Sequence, residues 1–295
     1  MSRMTDVSLI EGATLADGSR SDILIEGGVI RELGSGLSAP AGATRIDADG
    51  LLALPGLVDL HTHLREPGYE QSETVLTGTR AAAAGGFTTV FAMANTSPVA
   101  DTAGVVEQEL SLGLDSGFAR VQPIGAVTVG LRGERLAELG AMASSRASVR
   151  VFSDDGFCVS DPLLMRRALE YVKAFDGVIA QHAQEPRLTE GAQMNEGALS
   201  GELGLAGWPA VAEESIIARD VLLAEHVGSR LHVVPPAQRG VDLEPRVVPG
   251  HEILGEQQVV RRDLGRDVDA AGLRPRITST LPAVDTWQTW RRAPT

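Results

Sequence analysis

The chain has one cysteine, Cys158, among its 295 residues. A lone thiol closes no intramolecular disulfide, so the expected setting is a reducing, cytoplasmic one and the fold must hold without cross-links. Lysine is equally scarce: Lys173 stands against 25 arginines (26 basic residues less one), a bias that, with the many Ala and Gly, marks G+C-rich coding. No apolar run reaches the roughly eighteen residues of a membrane span. The N-terminal stretch MSRMTDVSLIEG has no basic start followed by an apolar core, so secretion is not expected either. With a net charge of -13 and no basic stripe, a nucleic-acid partner is not expected.

The composition that remains is globular, 43% apolar, and the chain is long enough for one large domain or for one large and one small. Residues 1–55 read as a small β-sandwich portion. VSLIEGATLADG, SDILIEGGVIREL and TRIDADGLLAL alternate and are punctuated by Gly and Asp, as β-hairpins are. From residue 56 the rhythm becomes strand then helix. GLVDLHTH, TTVFAMAN, ARVQPIGAV, SVRVFSDD and GVIAQHA precede expected helices near 74–84, 102–115, 133–144, 161–175 and 210–226, and SRLHVV follows. Apolar strands alternating with amphipathic helices indicate an α/β fold with a parallel sheet. Nothing marks a reversal of strand order, which favours an incomplete (β/α)8 TIM-like barrel over 56–233. After residue 233 the periodicity fails, and 234–295 reads as an aberrant, poorly specified tail with one helix near 252–264.

Two of the six histidines, His61 and His63, fall at the end of the first barrel strand. Residues i and i+2 of a strand point the same way, and barrels of this kind keep their active sites at strand C-termini. Neutral imidazoles on a rigid strand suit zinc. Arg65, just beyond, could grip an anionic substrate through a forked pair of hydrogen bonds. Asn95 ends the second strand, Asp154 and Asp155 the fourth, and His182 the fifth. A bare His-x-His is more often a surface pair, and an Asp before Gly is usually a turn former. Their joint placement at several strand ends is what makes a metal site. His226 reads as a helix cap, His232 as core or as a support behind the site, Cys158 as packing, Glu213 and Glu214 as a solvated helix face, and Lys173 as an exposed helix residue. His251 falls in the irregular tail.

Three segments, PGLVDLHTHLREPGYEQSETVLTGTRAAAAGGFTTVFAMANTSPVADT, FSDDGFCVSD and ESIIARDVLLAEHVGSRLHV, closely resemble the class I bacterial dihydroorotases of the amidohydrolase superfamily. The resemblance runs from about residue 5 to 233. It implies a metal-dependent hydrolase barrel with one or two zinc ions, interconverting N-carbamoyl-L-aspartate and L-dihydroorotate in pyrimidine biosynthesis. It also implies that His61 and His63 bind one metal, Asp155 bridges two, His182 binds the second, and Arg65 and Asn95 hold the substrate carboxylate. Hydantoinases and allantoinases usually bridge their metals with a carboxylated lysine on the fourth strand, and none stands there here. The resemblance allows a homo-oligomer or an aspartate carbamoyltransferase partner, the latter for a non-catalytic subunit.

The same resemblance implies a His-Val-Cys-His-x-Ser motif at the sixth strand and a later general-base aspartate. LHVVPPAQRG instead sets Val234 and Pro235 at the Cys-His position, so no catalytic base is assigned and the activity of this chain is expected to be impaired. VDTWQTW, residues 284–290, offers a reason. Read on the complementary strand, one base out of frame, G+C-rich codons for it can spell His-Val-Cys-His-Val-Ser-Thr. The expectation is that residues 234–295 translate an inverted piece of the same gene.

Overall fold

The computed structural model describes residues 7–234 and the strand backbone of Val259–Val260. His251 and the inverted reading therefore lie outside the described residues; of the helix expected near 252–264 only Val259–Val260 are described, and they form a strand. Residues 7–56 and 57–234 belong to two separate compact units.

The first unit is a five-stranded sheet of β1 (Val7–Leu15), β2 (Arg20–Glu26), β3 (Val29–Gly34), β4 (Thr44–Asp47) and β5 (Leu52–Ala53). β1 to β3 form the expected antiparallel meander, and Leu9, Ala13 and Ile23 are buried. The third expected segment departs from the hairpin pattern, since β4 and β5 both run parallel to β1. The chain between β3 and β4 is long enough to cross to the far side of β1 before it resumes pairing.

The second unit alternates strand and helix: β6 (Leu57–Thr62), α1 (Val75–Ala84), β7 (Phe87–Ala92), α2 (Ala103–Ser116), β8 (Arg120–Pro123), α3 (Leu139–Ser144), β9 (Val151–Phe152), α4 (Pro162–Val172) and β10 (Val178–His182). An insertion with β11 (Met194–Asn195), α5 (Ala198–Leu203) and β12 (Gly207–Trp208) follows, then α6 (Val211–Val227) and β13 (Arg230–Val234). β6, β7 and β8 pair in parallel, as do β9, β10 and β13, and a parallel bridge from Gly125 to Phe152 joins the two sets. Strand order follows chain order throughout, which is the barrel arrangement and not the switched order of an open sheet. β14 (Val259–Val260) pairs antiparallel with β13 and so does not extend the parallel run. Among the described residues β6 pairs with β7 alone, leaving six consecutive barrel strands with an open edge.

Local chemistry explains the elements. Asp161 caps α4 by accepting from Leu164 N at 2.6 Å, and Pro162 opens it with no N–H to lose. Met165, Ala168, Leu169 and Val172 form the buried stripe of α4 at helical spacing. They join Phe152, Leu139, Met142, Ile179 and Leu231 in the main core, where each large side chain removed from water contributes about 1.5–3 kcal/mol. α2 lies close on β8 because position 113 is glycine; a Cβ there would come within 2.5 Å of Val121 Cβ. The helix expected over 133–144 begins only at Leu139. Gly130 and Gly133 take left-handed φ, and the buried Asp154 carboxylate accepts from Val127 N and Thr128 N at 2.8 and 2.9 Å. Gly133 N and Ala137 N then donate to Thr128 Oγ1 and the Val127 carbonyl, at 2.9 Å each, instead of to a helical turn.

Candidate metal centre

β6 reaches the centre through a bulge. Asp59 pairs with Val90 but Thr62 with Ala92, so three steps on β6 face two on β7. The displaced His61 N–H donates to Asp59 Oδ1 at 3.0 Å. His61 and His63 then project to the same side, with Nε2 atoms 3.3 Å apart. Each Nε2 lies 3.4 Å from Asp155 Oδ2, and Asp155 stands just past the end of β9. His182, the last residue of β10, brings Nδ1 to 3.4 Å from the other carboxylate oxygen, Oδ1. The single acid thus divides its two oxygens between the two histidine sets.

These approaches are long and poorly aligned for hydrogen bonds. His182 Nδ1 is a buried polar atom with no hydrogen-bond partner. The ligand atoms of His61, His63 and Asp155 all fall within 4.8 Å of one another. Two imidazoles and a carboxylate oxygen converging at 3.3–3.4 Å are a donor set for a divalent ion, and the orphaned Nδ1 supplies a further one on the far side of Asp155.

Electrostatics agree. Burial alone would raise the Asp155 carboxyl, but His182 and His61 beside it outweigh burial and hold it well below the usual range. Burial pulls the other way on both rings. It lowers His63, with Asn95 and Asp155 opposing, whereas at His182 the carboxylate of Asp155 and the Gln184 oxygen outweigh it and leave the ring raised.

Asn95 sits in the loop after β7 with Oδ1 3.0 Å from His63 Nδ1. Arg65 lies beyond His63 at φ 62°, a left-handed conformation unusual for a side chain of its size, and its charge helps to lower His63. Tyr69 N donates to the Arg65 carbonyl at 2.9 Å, which helps to fix that turn. Asp154 belongs to the scaffold, hydrogen-bonded to the segment before α3, whereas Asp155 faces the histidines.

The other sequence expectations divide. Cys158 is a packing residue, with Gln181 Nε2 3.4 Å from its sulfur and burial pushing the thiol up to about 11. His226 occupies the last turn of α6, and His232 is buried on β13. Lys173 is exposed, as expected, but it also donates Nζ to the Val227 carbonyl at 2.6 Å and so caps α6. Glu213 is a correction. Glu214 is solvated, yet Glu213 is 3% exposed; burial raises its carboxyl, and its charge acts on His182. The acidic pair suggested a solvated face because both residues are charged, but only one lies on the inner stripe of α6. Sequence reasoning also passed over Gln184, whose Oε1 is 3.0 Å from His182 Nε2. Its position two residues after His182, just past the end of β10, was the available signal. Asp59, two before His61, carried the same signal.

Comparison with known proteins places these observations. Residues 50–236 match the family described as dihydro-orotase-like. The chain is 74% identical over 286 residues to a dihydroorotase of Leifsonia xyli subsp. xyli, covering 90% of this chain and 65% of that protein. It is 65% identical over 264 residues to the dihydroorotase of Streptomyces coelicolor, covering 85% and 61%. It therefore spans less than two-thirds of the length of these relatives. Among solved structures, the L-hydantoinase (dihydropyrimidinase) from Arthrobacter aurescens superposes with a TM-score of 0.61 at 22% identity, over 78% of this chain and 52% of that one, a likeness of fold.

Proposed function

Because this chain belongs to the dihydro-orotase-like family, we propose that it carries the metal-binding and substrate-holding part of a zinc-dependent cyclic amidohydrolase that interconverts N-carbamoyl-L-aspartate and L-dihydroorotate. The observation behind this reading is the division of Asp155, Oδ2 toward His61 and His63 and Oδ1 toward His182, each at 3.4 Å. His61, His63 and Asp155 would hold one ion, and Asp155 and His182 a second. Bound zinc supplies Lewis-acid activation of water and of the scissile carbonyl.

The chain's own residues account for the rest. Asp155, held well below the usual carboxylate range, stays ionised at neutral pH and offers both oxygens as ligands. Arg65 binds the substrate carboxylate as a fixed cation, and Asn95 Nδ2 is free to donate to it because Oδ1 faces His63. No described side chain is assigned as general base. A hydantoinase-type centre is disfavoured by Lys173, the chain's single lysine, whose ammonium is engaged at the end of α6. A purely structural subunit, the alternative that docks on aspartate carbamoyltransferase, has no chemical need for four converging ligands.

Zinc content and cyclisation of carbamoyl-aspartate test the reading on two chains: this one, and a variant whose residues 234–295 are replaced by the complementary-strand translation. Both should bind zinc through His61, so that His61→Ala lowers the content. The replaced chain should cyclise faster by about 10² to 10⁴-fold, the scale of a restored acid–base group. A chain that takes up no zinc, or takes up the same amount with His61→Ala, would refute the proposal.

A further inference from the structure

Two of the metal-facing histidines place their second ring nitrogen against the oxygen of a side-chain amide. His63 Nδ1 is 3.0 Å from Asn95 Oδ1, and His182 Nε2 is 3.0 Å from Gln184 Oε1. An amide oxygen only accepts, so in each pair the ring nitrogen carries the hydrogen and donates. The nitrogen left toward Asp155 is therefore not the same atom in the two rings: Nε2 on His63, Nδ1 on His182.

The polarity of the Gln184 amide is itself fixed. Its Nε2 donates to Thr189 Oγ1 at 2.8 Å, and that buried hydroxyl has the Glu185 and Pro186 carbonyls at 3.2 and 3.3 Å to take its own hydrogen. With its hydrogen given to either carbonyl, Thr189 accepts from Gln184, and the amide turns its oxygen to His182. Asn95 has a second use for its amide. Its Nδ2 lies toward Gly156, 3.9 Å from where a Cβ would stand, on the Asp155 loop.

We propose that Gln184 is a positioning residue that fixes the His182 ring with Nδ1 toward the metal, as Asn95 fixes His63 with Nε2, so that the two amides decide which atom each histidine gives to the ion. The inference rests on the metal-binding reading above. Without the Gln184 oxygen, His182 is free to turn over or to carry its hydrogen on Nδ1, and an N–H aimed at a cation is no ligand. Outer partners of this kind orient the ligand ring and raise its basicity. Asn95 would link the two halves of the chemistry, since its oxygen serves the metal ligand and its nitrogen the substrate.

The experiment uses the full chain loaded with zinc, as wild type, Gln184→Leu and Gln184→Glu. It reads zinc affinity by chelator competition and the bound nitrogen of each ring by NMR of 15N-labelled histidine. Gln184→Leu should weaken zinc on the His182 side by about 10–100-fold. Gln184→Glu, which still accepts from Nε2–H, should restore it, with the three melting temperatures close together. His182 should bind through Nδ1 and His63 through Nε2 in the wild type. Equal zinc affinity in all three chains, or His182 bound through Nε2, would overturn the role of Gln184 while leaving the metal site standing. A wild type that binds no zinc would overturn both.

Discussion

On the β6–β7 side of the centre, the loops bearing Arg65 and Asn95 lean on each other backbone to backbone. Ser97 N donates to the Pro67 carbonyl at 3.0 Å, and Gly68, at φ 101°, lies so close to Ser97 that a Cβ would come within 2.5 Å of the Ser97 Cβ. On the β9–β10 side the loop after Asp155 is held by side-chain charge. Arg219, from α6, donates to the Ser160 and Val159 carbonyls at 2.6 and 2.8 Å and pairs with Asp220. The other oxygen of Asp220 accepts from Gln181 Nε2 at 2.9 Å, on the strand residue next to His182. A support made of close approach depends on residue size and is indifferent to protons. A support made of a buried ion pair depends on pH. The difference also matches exposure: the His61 and His63 side chains are 28% and 29% exposed, His182 only 8%.

The largest effect should come from breaking the charged support. Asp220 is 1% exposed and Arg219 20%, so Arg219→Ala strands a buried carboxylate, a change that costs about 3 kcal/mol, the lower end for such pairs. Urea unfolding at pH 7 measures it. The pH dependence follows from the same group. Burial pushes the Asp220 carboxyl up to about 6 from an ordinary value of 3.8. Between those values the folded chain binds a proton that the unfolded chain does not, so this contribution to stability is fullest at the acid end and is lost as pH rises through 6. Asp220→Asn should flatten the slope of stability between about pH 4 and 7, and the Arg219→Ala penalty should shrink toward pH 5. An Arg219→Ala penalty that stays constant across that window would show that the pair does not titrate as a unit.

The close-approach side should answer differently. Gly68→Ala adds a methyl where there is no room and places an L side chain at positive φ, so it should destabilise by about 1–3 kcal/mol. That loss should be the same at pH 5 and pH 7. Because the displaced loop carries Arg65, calorimetric binding of carbamoyl-aspartate to the zinc-loaded chain should weaken while zinc content holds. Loss of zinc with this variant would mean that the two sides are not separately supported.

The early side was also the more legible in the sequence. His61, His63 and Asn95 announce themselves by strand-end position and period two, and the barrel order followed from the serial strand–helix rhythm. Strand-end position offered Asp154 and Asp155 alike and only the family resemblance preferred Asp155; in the fold Asp154 is spent on Val127 N and Thr128 N. The late side hides its parts. Gln181, Arg219 and Asp220 meet across about forty residues of chain, and no local pattern announces a contact of that range. Glu213 was misjudged for the related reason that charge suggests solvent, and burial of one acid of a pair is a tertiary fact. The helix expected from residue 133 was shortened by long-range pairing, with Gly133 N donating to Thr128 Oγ1 and Ala137 N to the Val127 carbonyl, on a segment that Asp154 holds by its backbone.

The smallest effect belongs to a charge of the same sign as Arg219, placed against the C-terminal end of the helix whose middle carries Arg219. Lys173 donates to the Val227 carbonyl at the C-terminus of α6, but it does so in water. There the gain is a favourable meeting with the helix dipole, about 0.3–1 kcal/mol, reduced by salt. Lys173→Met keeps the aliphatic stem and removes the ammonium, so it should lower the unfolding free energy by no more than that, and raising the ionic strength should erase the difference. The Arg219→Ala loss should survive the same salt, because Asp220 is buried and little screened. If salt erased both losses, the contrast between a solvated cap and a buried clamp would fail, and the late side of the centre would be held by something other than the Arg219–Asp220 pair.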